Sequence, residues 1–160
     1  MTPKVYVETT IISYLAARPS RDLIVAARQQ LTHAWWRDER PSFDLYVSQL
    51  VLVEAQAGDS EAAERRGALL KDLPVLDTVP EVAELAATLI ERTGLPAKAG
   101  ADATHIALAA FHRMEFLITW NVAHIANAVL RQRVEQVCRE TGHAPPVLCT
   151  PDELMGENHA

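Results

Sequence analysis

Cysteine is the first scarcity. Cys138 and Cys149 are the only two in 160 residues, which argues against a disulfide scaffold or a cysteine-built zinc site. Cys138 falls on the apolar face of an expected helix and Cys149 in a short strand, and both are read as small buried hydrophobes. Long apolar runs are missing too, none approaching the roughly 18 residues of a membrane span. The opening Met1-Thr2-Pro3-Lys4 leads straight into a strand-like segment without a leader pattern. A cytoplasmic address and no membrane partner are therefore expected. Positive charge is also short: 15 Lys and Arg face 21 Asp and Glu, a formal net charge of −6. That balance argues against a protein that coats nucleic acid through bulk electrostatics. A nuclease stays open, because a divalent ion reverses the sign of a carboxylate pocket locally.

What is present suits a globular protein. Hydrophobic residues make up 49% and charged residues 22%, enough to bury a real core in one domain. That domain is expected over residues 1–154, with a disordered tail at 155–160.

Strand-like and helix-like segments alternate. Lys4 to Glu8 reads as a first strand, and Thr9 or Thr10 can cap the short helix that follows. A helix is expected from Ser20 or Arg21 to about Glu39, and a second strand over Phe43 to Val47. Ser48 is placed to cap the next helix, which closes at Gly58-Asp59; another covers Ser60 to Leu73. Pro74 to Leu76 reads as a third strand. The helix Pro80 to Thr93 sets Val82, Leu85, Ala86, Leu89 and Ile90 on one face, and Gly94 stops it. After a loop at Lys98 to Gly100, a helix spans Ala101 to Arg113, Phe116 to Thr119 is a fourth strand, and a helical stripe runs from Val122 to Glu140. Val147 to Cys149 completes the set. Strands separated by helices pair in parallel, so the expected fold is α/β, a three-layer α/β/α sandwich around a parallel sheet of four to five short strands.

In an open parallel sheet, chemistry gathers beyond the carboxyl ends of the strands. Glu8 ends the first strand, Asn121 follows the fourth, Glu54 lies in the helix after the second, and Asp102 opens the helix leading to the fourth. Phosphodiester hydrolysis needs an activated water and neutralised oxygens, which hard cations held by carboxylates supply. Each residue has a plainer role open to it. Glu8 can be an exposed strand end, Glu54 a solvated helix face, Asp102 a first-turn acid, and Asn121 a turn residue. A dinucleotide site is excluded, since Glu8-Thr9-Thr10 stands where a glycine-rich turn belongs. A phosphatase with a strand-end Asp nucleophile lacks that Asp.

The run Val5 to Leu15, with an acid ending the strand and Thr, Ser and apolar residues after it, resembles the opening of PIN domains. Ser48 to Glu54, Asp102 to Ala109, and Phe116 to Asn121 with His124 to Asn127 resemble the family's later acidic elements, in order and spacing. The resemblance implies a PIN fold and an Mg²⁺- or Mn²⁺-dependent ribonuclease of the VapC toxin type, with RNA as substrate. It also implies a VapB-like antitoxin partner and a homodimer. Glu8, Glu54 and Asp102 would be the metal-binding acids, and Asn121 would occupy the fourth acidic position. Thr9, Lys98 and His124 are the expected substrate contacts. Two positions depart from the family: Glu8 is longer than the usual Asp, and Asn121 is neutral. Those departures leave a second reading, a PIN-like module that binds RNA or a partner with weak chemistry.

His105 is read as a packing or supporting histidine rather than a ligand, and Arg65-Arg66 as a solvated helix face. Of Trp35 and Trp36, one is expected in the core and the other at an interface.

Overall fold

The computed structural model describes residues 2–156. Five strands form one sheet: β1 (Lys4–Val7), β2 (Asp44–Ser48), β3 (Val75–Leu76), β4 (Phe116–Ile118) and β5 (Val147–Cys149). Their order is β3-β2-β1-β4-β5 and every pairing is parallel. The helices are α1 (Thr9–Ala16), α2 (Leu23–Ala34), α3 (Gln49–Ala55), α4 (Ser60–Leu70), α5 (Pro80–Thr93), α6 (Gly100–Phe111) and α7 (Ala128–Glu140).

The order dictates the layers. From β1 through β2 to β3 the chain steps toward one edge, and from β3 through β4 to β5 it steps back across. Parallel crossovers are right-handed, so the reversal puts α1–α4 on one face and α5–α7 on the other. The packing agrees: α1 contacts α2, α3 and α4, while α5 contacts α6 and α7. Val5, Tyr6 and Val7 of the central strand are fully buried, as expected of a strand covered on both faces.

Several boundaries differ from the sequence expectation. The cap of α1 is Glu8 rather than a threonine; its carboxylate accepts from Thr10 N at 3.1 Å. Helix α2 starts after Asp22, which caps Val25 N, and its last residues widen into a π-turn over Trp35–Glu39. The helix expected from Val122 starts only at Ala128. Residues 122–127 form a turn because the Asn121 carbonyl accepts from both Ile125 N and Ala126 N, and Asn127 then caps α7. Ile125 is buried from that turn, so its apolar character mimics a helical stripe without belonging to one.

Arg65 is exposed, as expected of a solvated face, and Arg66 half-buried, yet both reach backbone carbonyls. Arg65 Nε donates to Ala16 O at 2.9 Å, and Arg66 donates to Ala55 O at 2.8 Å and Ala57 O at 2.5 Å. They satisfy carbonyls left open at the ends of α1 and α3. Trp35 is buried and stacks on Phe43, while Trp36 is partly exposed beneath the Arg40 guanidinium. Both cysteines are buried and free, and burial pushes their thiols up, Cys138 to about 11 and Cys149 to about 12. Met155 packs against the core and Gly156 N donates to Glu39 Oε1 at 3.3 Å; the rest of the expected tail, 157–160, lies outside the described residues. Among the described residues, no helix is long and apolar enough to cross a membrane.

Candidate metal centre

Connections leaving β1 and β4 run to opposite sides of the sheet, so the crevice beyond their carboxyl ends is the topological switch point. Strand pairing sets Val7 beside Ile118, and Glu8 N donates to Ile118 O at 3.1 Å. Glu8 is thus delivered to that crevice together with Thr119.

Glu8 is 5% exposed, and a buried carboxylate must find donors. Its Oε1 accepts from the hydroxyls of Thr10 and Thr119, each at 2.5 Å. Those hydroxyls in turn accept from Trp120 N at 2.8 Å and Asn121 N at 2.9 Å. The loop after β4 is therefore bonded, through two hydroxyls, to the acid that ends β1.

Glu54 enters from the last turn of α3, a helix started by Ser48, whose hydroxyl accepts from Val51 N at 3.2 Å. Its Oε1 accepts from Thr9 Oγ1 at 2.6 Å and lies 2.6 Å from His105 Nε2. His105 is 1% exposed. Its other ring nitrogen, Nδ1, meets Tyr6 Oη at 2.6 Å, and Tyr6 Oη meets Ser48 Oγ at 2.8 Å. Burial would raise the Glu54 carboxyl, but the hydrogen bonds of His105 and Thr9 and the charge of His105 outweigh it and hold the group below its ordinary value. Burial, aided by the charges of Glu8 and Glu54, pushes the Tyr6 phenol well up despite its bond to Ser48, so it stays a neutral hydroxyl.

Asp102 sits one turn before His105 on α6. Asn121 Nδ2 donates to its Oδ1 at 2.9 Å, and His124 Nδ1 lies 3.0 Å from its Oδ2. Asn121 Oδ1 also accepts from His124 N at 3.0 Å. Asn121 is therefore a turn residue and a partner of the acid at once.

Carboxylate and imidazole donors of Glu8, Glu54 and His105 all lie within 4.8 Å of one another. Asp102 is not in that trio; it joins Glu8 through Asn121 and Thr119. Of the expected substrate contacts, Thr9 is turned onto Glu54, His124 is bound to Asp102 and one-third exposed, and Lys98 is exposed in the turn Ala97–Ala99 that leads into α6. Thr10, Thr119 and Tyr6 were not anticipated from the sequence.

Two like charges about 4.8 Å apart repel by about 3 kcal/mol at an effective dielectric near 20. A hydrogen bond to a charged group returns about 1.5–3 kcal/mol, so the hydroxyls and His105 suffice to hold the two acids together. A divalent cation offsets that repulsion directly, and two carboxylates with an imidazole are donors it accepts.

The family model of the PIN domain matches residues 5–129. The chain belongs to the PIN-domain family. Two solved PIN-type structures resemble it. VapC20 of Mycobacterium tuberculosis, a toxin that cleaves the sarcin–ricin loop, aligns with a TM-score of 0.58 at 17% identity, over 75% of this chain and 92% of that one. VapBC2 of Rickettsia felis, bound to a DNA fragment from its promoter, aligns with a TM-score of 0.51 at 17% identity, over 75% of this chain and 89% of that one. No curated protein sequence matches the chain. Such identities establish the fold, and this chain's PIN sheet is the five-stranded parallel one described above.

Proposed function

We propose that this PIN domain is a VapC-like ribonuclease that hydrolyses RNA phosphodiester bonds with Mg²⁺ or Mn²⁺. The observation that carries this reading is the meeting of Glu8 and Glu54 at the switch point, with Asp102 bonded into the same network. Glu8, Glu54 and Asp102 would hold the ion, which supplies an activated water and a counter-charge for the phosphate. Asn121 fills the fourth position and keeps Asp102 oriented. His124, held by Asp102, and Lys98, exposed in the turn before α6, are the groups disposed to contact phosphate. Thr9 serves the substrate indirectly, by fixing Glu54.

The toxin role goes with a VapB-like antitoxin that covers the site, with a homodimer, and with the cytoplasm as the place of action. Leu23 and Ile24, 86% and 66% exposed at the start of α2, are an apolar pair suited to a protein partner. One observation favours the weaker reading, a PIN-like binding module. Both Asp102 oxygens are already engaged, by Asn121 and His124.

Glu8→Gln and Asp102→Asn separate the two. Both variants are expected to keep a wild-type circular dichroism spectrum and to lose Mn²⁺-dependent cleavage of RNA and growth toxicity. Cleavage at the wild-type rate by both would reject the enzyme.

A further inference from the structure

The imidazole of His105 faces the two glutamates at one nitrogen and a buried hydroxyl pair at the other. Nε2 belongs to the group of donors within 4.8 Å. An octahedral ion with bonds of about 2.1 Å keeps neighbouring donors about 3 Å apart and opposite donors about 4.2 Å apart. The trio thus needs only small side-chain shifts to share one ion. Histidines that ligate metals keep the other ring nitrogen on an oxygen partner, which fixes tautomer and ring plane. Tyr6 Oη is that partner at 2.6 Å, itself 2.8 Å from Ser48 Oγ. Tyr6 and Ser48 are fully buried, so the ring is anchored from the core side and aimed at the acids.

We propose that His105 is a nitrogen ligand of the divalent ion beside the carboxylates, making a mixed oxygen and nitrogen site that takes Mn²⁺ ahead of Mg²⁺. The inference rests on the metal-dependent reading above. Mg²⁺ demands oxygen donors and parts reluctantly with water, whereas transition ions accept imidazole readily. The proton inventory closes in both arrangements. With Nε2–H donating to Glu54, Tyr6 donates to Nδ1 and Ser48 donates to Tyr6. With the Nε2 lone pair on an ion, the ring proton sits on Nδ1, Tyr6 Oη accepts it, and the Tyr6 hydroxyl turns to Ser48 Oγ. Between these two arrangements of the neutral ring, no net proton is gained or lost.

The test is pulsed electron paramagnetic resonance of Mn²⁺ bound to the full chain, prepared with natural and with ¹⁵N-labelled histidine. The expected result is echo modulation from one bound imidazole nitrogen, which changes frequency on labelling, persists in His124→Asn and vanishes in His105→Asn. In Mn²⁺/Mg²⁺ competition, His105→Asn is expected to narrow the preference for Mn²⁺ by about tenfold, the usual scale for disturbing one ligand. Mn²⁺ bound by the wild type without histidine modulation overturns the inference and leaves the proposed nuclease standing. Modulation lost in His124→Asn instead makes His124 the ligand and overturns it too. No Mn²⁺ binding by the wild type overturns both. Labelled wild type and His124→Asn decide between these outcomes even if His105→Asn does not fold.

Discussion

Asn121 donates its side-chain amide to Asp102 Oδ1 at 2.9 Å, at the position where the resemblance to PIN domains implies a further acid. Asn121→Asp would replace that donor with a second negative charge. Without metal, the repulsion should cost about 3 kcal/mol, or roughly 6–12 °C in Tm for a domain of this size. With Mn²⁺ the added carboxylate becomes a ligand, so the variant's Tm should rise more on metal addition than the wild type's. Thermal melts in chelator and in Mn²⁺ check this; equal wild-type and variant Tm in chelator would refute it.

Thr119 links the two halves of the site, donating to Glu8 and accepting from Asn121 N. Thr119→Val keeps the shape, removes a hydrogen bond to a charge and strands a backbone N–H. The expected loss is about 2–3 kcal/mol by denaturant titration, with weaker Mn²⁺ binding. A loss under about 0.5 kcal/mol, typical of an innocuous surface change, would show that the hydroxyl bridge is not holding Glu8.

How much of this can be read from the chain depends on how far apart the partners are. Glu8 and Asn121 stand out because strand-end positions follow from local pattern and sheet topology, and Asp102 because it opens the helix that leads to the fourth strand. Helix Pro80–Thr93 and strand Val147–Cys149 are legible to the residue, since caps and apolar periods there agree. The hydroxyl bridges are not. Thr119 meets Glu8 from 111 residues away, and although Thr10 stands only two residues from it, no local spacing marks a threonine as a carboxylate donor. The turn at 122–127 misleads for the opposite reason, because Ile125 and Ala126 keep a helical spacing while their N–H groups are committed to Asn121 O.

Glu54 gives the pH dependence. Its folded-state carboxyl lies below the ordinary value of 4.5, so the folded state favours the charged form. Its contribution to stability is fully present above the unfolded pKa and is lost as pH falls through the lower folded value. In chelator, the stability difference between wild type and Glu54→Gln should be flat from about pH 6 to 8 and shrink below about pH 4.5. A difference that grows on acidification would reverse the sign and contradict the bonds of His105 and Thr9.

Shortening the first acid tests whether its length matters. Glu8 spans from the cap of α1 to Thr119, a reach that Glu8→Asp gives up by one methylene. Asp is a good N-cap, so α1 should persist, while the weakened bond to Thr119 should lower stability by about 1–3 kcal/mol. Mn²⁺ affinity and cleavage should fall by about 10–100-fold, as when a partner that orients a ligand is lost. Undiminished cleavage would mean that the longer side chain is incidental.

Arg66 holds the end of the helix that carries Glu54, through the carbonyls of Ala55 and Ala57, while Arg65 does the same for α1 at Ala16. The pair is its own control. Arg66→Met and Arg65→Met should each cost about 1 kcal/mol of stability through lost carbonyl bonds. Only Arg66→Met loosens the turn next to Glu54, so it alone should weaken Mn²⁺ binding, by about threefold or roughly 0.7 kcal/mol. Calorimetric titration of both folded variants reads the difference. Equal Mn²⁺ affinities would mean that α3 keeps Glu54 in place without its arginine clamp, and that Thr9 and His105 alone position the acid.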